Sequence, residues 1–339
     1  RLGTALMPTV HLYVHGRGRG HGQRSKAVCD SLRGAGYCVR VFAGQGAIDA
    51  FSKGEAEPVD SLMPKMGWRT LALLKARVSD AIAALCDHRP VAVLSDGDLP
   101  GVLAAHRRGV PSIALGHGLI FSHTKRPPAL PPAPWLREGA KAAVASIGTA
   151  RQIAVSFTPL TPRSSTTTVA QPILRPELRG KRTPDGPLLC YFRDSNAPQV
   201  LRTLSDYGQP VRLFSDVDPK LPGVHCEPPH PGRFADALMS AQGVISSAGS
   251  QLISECVALG IPQLAVYDAR DDEQRLNVAL LQAHNLGTGC ALQAIDEATV
   301  TTFLARLETS APRPIPEPFG PDVGEAVKRA LDAIVGANA

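Results

Sequence analysis

Aromatic residues are few. Phe, Tyr and Trp together make up 5% of the 339 positions, so the interior must be filled by Leu, Val, Ile and Ala. Long apolar runs are missing as well. No stretch reaches the roughly 20 residues that a membrane-spanning helix needs, which excludes an integral membrane protein of the helical kind. The seven cysteines are odd in number and scattered, with no Cys-x-x-Cys pair. This excludes the common zinc spacing and a disulfide framework, and it points to reduced thiols and a cytoplasmic location. No secretory signal is legible in the opening residues. The series Gly16-x-Gly18-x-Gly20 lacks the third glycine of the dinucleotide fingerprint at its proper offset, which excludes a nicotinamide cofactor at that loop.

Acidic residues are thin in the first half. Residues 1–170 hold 21 Lys and Arg against 10 Asp and Glu, residues 171–339 hold 15 against 20, and the net charge is +6. A chain of this length is expected to form two domains, and the contrast fits two domains with different partners. The basic half offers a surface to an anionic acceptor or to the inner face of a membrane; the plainer reading is that it keeps the chain soluble. No nucleic-acid partner is expected.

What is present is organised around residues 243–277. Val244 and Ile245 open a short buried-strand pattern, and the Ser246-Ser247-Ala248-Gly249-Ser250 turn breaks it. Leu252, Ile253, Cys256, Val257 and Leu259 then follow helical spacing until Gly260 and Pro262 stop the helix. Residues 264–267 read as a second strand, parallel to the first because the connection is of βαβ length. A helix that starts at Gly249 and Ser250 presents free backbone N–H groups and the positive end of its dipole, a site for a phosphate or diphosphate. Glu255 stands about one and a half turns further on, where a carboxylate can accept from a ribose diol. Asp271, Asp272, Glu273 and Gln274 follow the second strand, where parallel sheets carry their ligand loops.

This set resembles the donor-binding half of GT-B glycosyltransferases: a small residue with Gly249-Ser250, then Glu255, then Gly260-Ile261-Pro262, then Glu273-Gln274 with Asn277. It is most similar to the family-28 type, which includes the N-acetylglucosaminyltransferase of lipid II synthesis. The resemblance implies that Gly249 and Ser250, with Ser247 and Gln251 beside them, hold the donor diphosphate. It implies that Glu255 binds the ribose, that Asp272, Glu273 and Gln274 meet the donor sugar, and that Asn277 supports the loop. Glu273 departs from the Asp that many relatives carry before the Gln. Each part also has a plainer reading, a turn and cap for Gly249-Ser250 and a solvated helix residue for Glu255.

The N-terminal half opens with a strand at residues 10–14, the loop His15-Gly16-Arg17-Gly18-Arg19-Gly20-His21-Gly22, a helix from about Gln23 and a strand at residues 37–42. In the resembled family this loop faces the cleft, with Gly18 and Gly20 near the donor. His21 matches a His at the donor–acceptor junction, where a neutral imidazole can take a proton from an acceptor hydroxyl. Residues 91–94 form a strand that ends in Asp96 and Asp98. Either carboxylate can serve as base or hold a catalytic His, and Asp98 can equally cap the helix that begins near Pro100. His117 sits between two glycines in a third such loop, its role open between acceptor contact, base and structural bond.

Residues 68–85 read as a core helix through Leu71, Leu74, Val78, Ile82 and Leu85. Residues 49–66 and 122–139 read as irregular flaps. Arg193, after a strand at residues 188–192, can pair with the diphosphate or form a surface ion pair.

The expectation is therefore an α/β protein of GT-B architecture, two doubly wound Rossmann-like domains facing across a cleft. Residues 1–160 form the acceptor-side domain, 161–185 a linker and 186–320 the donor domain. Residues 321–339 form a terminal helix that returns to the first domain. The expected activity is inverting transfer of a hexose, N-acetylglucosamine from UDP-N-acetylglucosamine by family likeness. The acceptor hydroxyl is lipid-linked, polysaccharide or small-molecule in origin. No cofactor and no metal are expected, because helix amides and basic groups can stabilise the leaving diphosphate. Two alternatives stand beside it: a non-hydrolysing UDP-sugar 2-epimerase of the same architecture, and a non-catalytic nucleotide-sugar-binding protein.

Overall fold

The computed structural model describes residues 7–17, 19–62, 67–192, 197–309 and 315–337. The chain divides into two compact units, one of Arg1–Pro127, Leu136–Ile173 and Pro318–Ala339, the other of Pro128–Trp135 and Leu174–Glu317. In chain order the elements of the first part are β1 (Thr9–Val14), α1 (Arg19–Gly34), β2 (Cys38–Gly44), α2 (Gln45–Ile48), β3 (Ala56–Val59), α3 (Trp68–His88), β4 (Ala92–Asp96), α4 (Leu99–Arg108), β5 (Ser112–Gly116), α5 (Leu119–His123), α6 (Pro132–Ala145), β6 (Arg151–Val155) and β7 (Thr167–Ala170). The second part carries β8 (Leu188–Tyr191), α7 (Pro198–Asp206), β9 (Val211–Phe214), β10 (Val224–Glu227), α8 (Pro231–Ser240), β11 (Val244–Ser247), α9 (Ser250–Ala258), β12 (Gln263–Tyr267), α10 (Asp272–Ala283), β13 (Thr288–Ala291) and α11 (Glu297–Thr309). The last helix, α12 (Val323–Ala337), belongs to the first unit.

Unit 1 holds a seven-stranded sheet in the order β3-β2-β1-β4-β5-β6-β7, unit 2 a six-stranded sheet in the order β10-β9-β8-β11-β12-β13. Every ladder between these strands is parallel. Both orders reverse direction once, between β1 and β4 and between β8 and β11. In open parallel sheets the crevice beyond the strand C-termini at such a reversal is where ligands bind.

The period-two side-chain pattern explains the layers. Val10, Leu12 and Val14 of β1 pack with Val28, Cys29 and Leu32 of α1 and with Val323, Val327 and Leu331 of α12. Tyr13 faces the other way, with Phe42, Val78, Ala81 and Leu85. In unit 2, Ile245 packs with Val200, Leu201 and Leu204 of α7 and with Val300 and Phe303 of α11. Its neighbour Val244 packs with Leu238 of α8 and Cys256 of α9. Consecutive residues on a strand point to opposite faces, so each sheet is covered on both.

Several sequence expectations shift. Helix α1 begins at Arg19, not near Gln23, because the basic loop is already wound. In α3 the inner stripe is Arg77, Val78, Ala81 and Leu85; its first turn is bare, with Trp68 75% and Leu71 60% exposed. The flap read at residues 49–66 contains the edge strand β3, and Met63, Pro64, Lys65 and Met66 lie outside the described residues. The flap read at residues 122–139 contains the start of α6, where Trp135 is buried. The stretch read as linker contains β7, which pairs with β6 from Gln152–Thr167 to Val155–Ala170. Pro, Ser and Thr signal a loop by composition, but the alternation of Thr167, Thr168, Val169 and Ala170 suits an edge strand.

Candidate functional site

In unit 1 the crevice at the reversal is formed by the ends of β1 and β4. His15 N–H donates to the Asp96 carbonyl at 3.0 Å and ties the two strand ends together. Asp96, the last residue of β4, is fully buried. Its four lone pairs are all taken. His21 Nδ1–H and Arg24 Nη2 donate to Oδ1 at 2.7 and 2.6 Å, and Arg24 Nε and Ser25 Oγ donate to Oδ2 at 3.0 Å each. Arg24 Nη2 and His21 Nδ1 lie 3.2 Å apart because both converge on Oδ1. Burial opposes ionisation of Asp96, but the Arg24 guanidinium and His21 outweigh it and hold the carboxyl well below the usual carboxylate range.

A carboxylate with every lone pair occupied cannot take a proton from a substrate without losing a donor. Asp96 thus holds His21 in place. The bond through Nδ1–H fixes the tautomer and leaves Nε2 as the basic nitrogen. The His21 side chain is 33% exposed.

Two glycines shape this corner. Gly97 has φ +74°, and a Cβ there would stand 3.4 Å from His21 Cε1. Gly116 has φ +145°, and a Cβ there would stand 3.4 Å from Asp96 Oδ1. Both conformations disfavour other residues. The glycines on either side of His21 do different work: a Cβ on Gly16 would meet the backbone of Gly44 at 2.8 Å, and one on Gly22 would meet the Ala47 carbonyl at 2.5 Å. Gly20 lies in the first turn of α1, and Gly18 lies outside the described residues.

The other candidates of this unit are engaged elsewhere. Asp98 caps α4 by accepting from Gly101 N–H at 2.9 Å and pairs with Arg77 at 3.2 Å, buried throughout. His117 is buried, donates from Nδ1 to the Val155 carbonyl at 3.0 Å and stacks on Phe157. The loop between β5 and α5 therefore reaches the His21–Asp96 corner through Gly116, not through His117. His15 accepts from Arg17 N–H at Nδ1 and donates from Nε2 to the Leu62 carbonyl, and burial lowers its pKa.

In unit 2 the crevice is formed by the end of β11 and the start of α9. The first intrahelical bond runs from Ile253 N–H to the Gly249 carbonyl at 3.1 Å. The amides of Ser250, Gln251 and Leu252 thus stand ahead of the helix's own ladder. A Cβ on Gly249 would meet no atom of the described residues within 4 Å. The turn is tied down from two sides. Ala248 N–H donates to the Val266 carbonyl at 2.8 Å, and Asn277 Nδ2 donates to the Ala248 carbonyl at 3.0 Å from a fully buried position.

Glu255 is engaged within the protein. It is 3% exposed and held by Arg175, whose Nε donates to Oε1 at 2.9 Å and Nη2 to Oε2 at 3.1 Å. Gln251 Nε2 adds a bond to Oε1 at 3.0 Å. The acidic loop is also partly structural. Asp271 caps α10 by accepting from Gln274 N–H at 3.1 Å, and the buried Gln274 returns its Nε2 to the same carboxylate at 3.2 Å. Asp272 and Glu273 occupy the first turn of α10, half-buried. Ser247 and Ser250 are half-buried at the turn, and Arg193 lies outside the described residues. A cavity of about 340 Å³ in unit 2, lined by Leu130, Tyr267, Arg275, Val278 and Gln282 among others, follows the end of β12.

The structure thus gathers His21 with Asp96, and Ser247, Gly249 and Ser250 with Asn277. It engages Asp98 and His117 in structural bonds. Sequence reasoning missed both clamping arginines. Arg24 had a local signal, one helical turn beyond His21; Arg175, 80 residues from Glu255, had none. Among the described residues no three His, Cys, Asp or Glu side chains form a metal-binding group, and no helix is long and apolar enough to cross a membrane.

A family model described as glycosyl transferase family 1 matches residues 69–308. No curated protein sequence matches the chain. Among solved structures, the glycosyltransferase of kitacinnamycin superposes with a TM-score of 0.63 at 16% identity, covering 97% of this chain and 96% of that one. MurG of Acinetobacter baumannii gives 0.58 at 16% identity over 89% and 91%. The UDP-GlcNAc 2-epimerase of Methanocaldococcus jannaschii gives 0.63 at 10% identity over 96% and 99%. At these identities the likeness is one of fold, the GT-B architecture, which the three share.

Proposed function

The chain belongs to glycosyl transferase family 1, and on that premise we propose that it moves a hexose from a nucleotide-diphosphate donor to an acceptor hydroxyl with inversion. The observation that carries this reading is the His21–Asp96 pair, a buried and saturated carboxylate that fixes one nitrogen of a partly exposed imidazole. Nε2 of His21 takes the proton of the acceptor hydroxyl as the oxygen attacks the anomeric carbon. The imidazolium that forms is stabilised by Asp96. The C–O bond to the diphosphate breaks on the opposite face, and the configuration inverts. No carboxylate nucleophile is assigned, so no covalent glycosyl intermediate is invoked.

On unit 2, the amides at the start of α9 suit the diphosphate, which leaves with its charge facing a helix N-terminus. That arrangement supports a reaction without a metal. Family likeness favours N-acetylglucosamine as the sugar, with Asp272 and Glu273 as its polar contacts.

A thermal-shift panel of nucleoside diphosphates and nucleotide sugars tests the donor half, since a ligand that binds the native state raises its apparent stability. A rise with one nucleotide, weakened in Gly249→Ala, is expected. No rise with any member would overturn the donor site. Incubation with donor alone tests the reaction class: a sugar epimerised without an acceptor would replace transfer by epimerisation.

A further inference from the structure

The cavity of about 340 Å³ in unit 2 has no part in the donor reading. We propose that it is a binding site for a neutral mono- or disaccharide, separate from the turn before α9.

All of its lining residues belong to unit 2. Arg275, Val278, Ala279 and Gln282 of α10 supply one wall, and their spacing places them on one side of the helix. Asn277, which reaches the Ala248 carbonyl at the donor turn, lies about 150° around α10 from that side, and Glu273 about 170°. The cavity therefore faces away from the donor turn and towards the edge strand β13, where Gln282 Nε2 donates to the Gly289 carbonyl at 3.1 Å. Tyr267, the last residue of β12, and the buried Leu130 complete it. Its volume is at the small end of the roughly 300–1,000 Å³ usual for ligand pockets.

The polar groups of this lining have unused capacity. Among the described residues, the Arg275 guanidinium makes no ion pair and no hydrogen bond, and the Tyr267 hydroxyl has no partner. A carbonyl can only accept, so the bond to Gly289 assigns Nε2 of Gln282 and leaves Oε1 as an acceptor. The lining thus offers a group that only donates, one that only accepts and a hydroxyl that does both. Sugar hydroxyls match all of these, and the Tyr267 ring with Leu130, Val278 and Ala279 gives an apolar wall for the C–H face of a pyranose.

An anion fits less well. It would satisfy Arg275 but oppose Gln282 Oε1, acceptor against acceptor. It would also meet the charges of Asp271 and Asp272, one turn before Arg275 on nearly the same side. Neither nearby carboxylate of known partner neutralises Arg275: Asp271 accepts from Gln274, and Asp268, beside Tyr267, pairs with Arg270 at 2.7 Å.

Saturation-transfer NMR titration of the whole chain with glucose, galactose, mannose, N-acetylglucosamine and maltose tests the site. Binding of at least one sugar is expected. Arg275→Ala and Gln282→Ala should each weaken it by about five- to tenfold, with unchanged melting temperatures because both residues are exposed. Glu273→Ala, on the other side of α10, should leave that affinity within about twofold. No binding by any of the sugars would overturn the proposal. A loss in Glu273→Ala as large as in Arg275→Ala would assign the sugar to the donor contacts and overturn it too. So would Arg275-dependent binding of benzoate in place of every sugar, which would make the cavity an anion site. Nucleoside diphosphate binding, measured in parallel, tests the donor turn independently.

Discussion

The two units carry the same device, at a strand end in unit 1 and within a helix in unit 2, and use it differently. Each has a buried carboxylate gripped by two nitrogens of one arginine, Asp96 by Arg24 in unit 1 and Glu255 by Arg175 in unit 2. In unit 1 the remaining capacity of the carboxylate goes to Ser25 and to His21, which is partly exposed and carries a titratable ring. In unit 2 it goes to Gln251, which carries none. The same kind of ion pair thus orients the proposed base in one unit and fastens a helix to the chain before β8 in the other. A buried carboxylate near a cleft is therefore not a ligand by itself; what shares its lone pairs decides.

The largest effect should come from His21→Ala. Turnover should fall by about 10²- to 10⁴-fold, the range for a lost general base, while the affinity for nucleoside diphosphate stays as it was. Near-normal turnover at saturating donor would sink the assignment.

Exchanging the two clamps sharpens the contrast. Arg24→Met and Arg175→Met should each cost about 3–5 kcal/mol of stability, because each leaves a buried carboxylate without its cation. Chemical denaturation measures this. Only Arg24→Met should also lower kcat per folded molecule, by about ten- to a hundredfold, since a loosened Asp96 misplaces His21. Arg24→Lys should recover part of that loss. The double change Arg175→Met with Glu255→Leu should recover the stability lost in Arg175→Met alone. Equal kcat losses in the two arginine variants would erase the distinction between the units.

Acid separates the units by a second route. His11 on β1 is fully buried beside His88 at 3.1 Å. Burial, then the charges of His88 and Arg40, push its pKa down from 6.5 to about 3. Below pH 6.5 the unfolded chain takes up a proton that the folded chain refuses, so stability falls as pH falls, by about 1.4 kcal/mol per pH unit until about pH 3. Asp96 acts in the same direction lower down: its depressed carboxyl stabilises the fold above the ordinary carboxylate range and ceases to do so as pH drops through its folded value. Thermal melts from pH 7 to pH 4 should show the first slope, and His11→Gln should flatten it.

The smallest effect concerns the turn before α9. A Cβ on Gly249 would meet no atom of the described residues within 4 Å, and its φ of −74° suits any residue. Gly249→Ala should lower the melting temperature by no more than a few degrees, because Gly249 is the N-cap of α9, where Ala is a weaker cap than Gly by about 0.5–1 kcal/mol. It should still weaken nucleoside diphosphate binding several-fold. A loss of stability with unchanged binding would mean that the glycine serves the fold.

The chain's local patterns announced most of its elements. Val10, Leu12 and Val14 alternate as a strand must, and Leu252, Ile253 and Cys256 repeat as an inward helix face must. Glycine or proline closes each run, as Gly260 and Pro262 close α9. Composition misled where it was read in place of pattern: Thr167 to Ala170 looked like linker and is β7, and Trp135 looked like part of a flap and is buried.

At the sites, the sequence determined which reactive groups end each strand: His21 after β1, Asp96 after β4 and Gly249 after β11. These follow from spacing along the chain. It did not determine which charges meet. Asp96 and Asp98 are two residues apart and chemically alike, yet one receives Arg24 across 72 positions and the other Arg77 across 21. Glu255 stands in the motif position for a ribose ligand, and Arg175 arrives from 80 positions away to occupy it. Partner choice for a buried charge depends on which helices pack beside which strand ends, and only the tertiary fold brings those together.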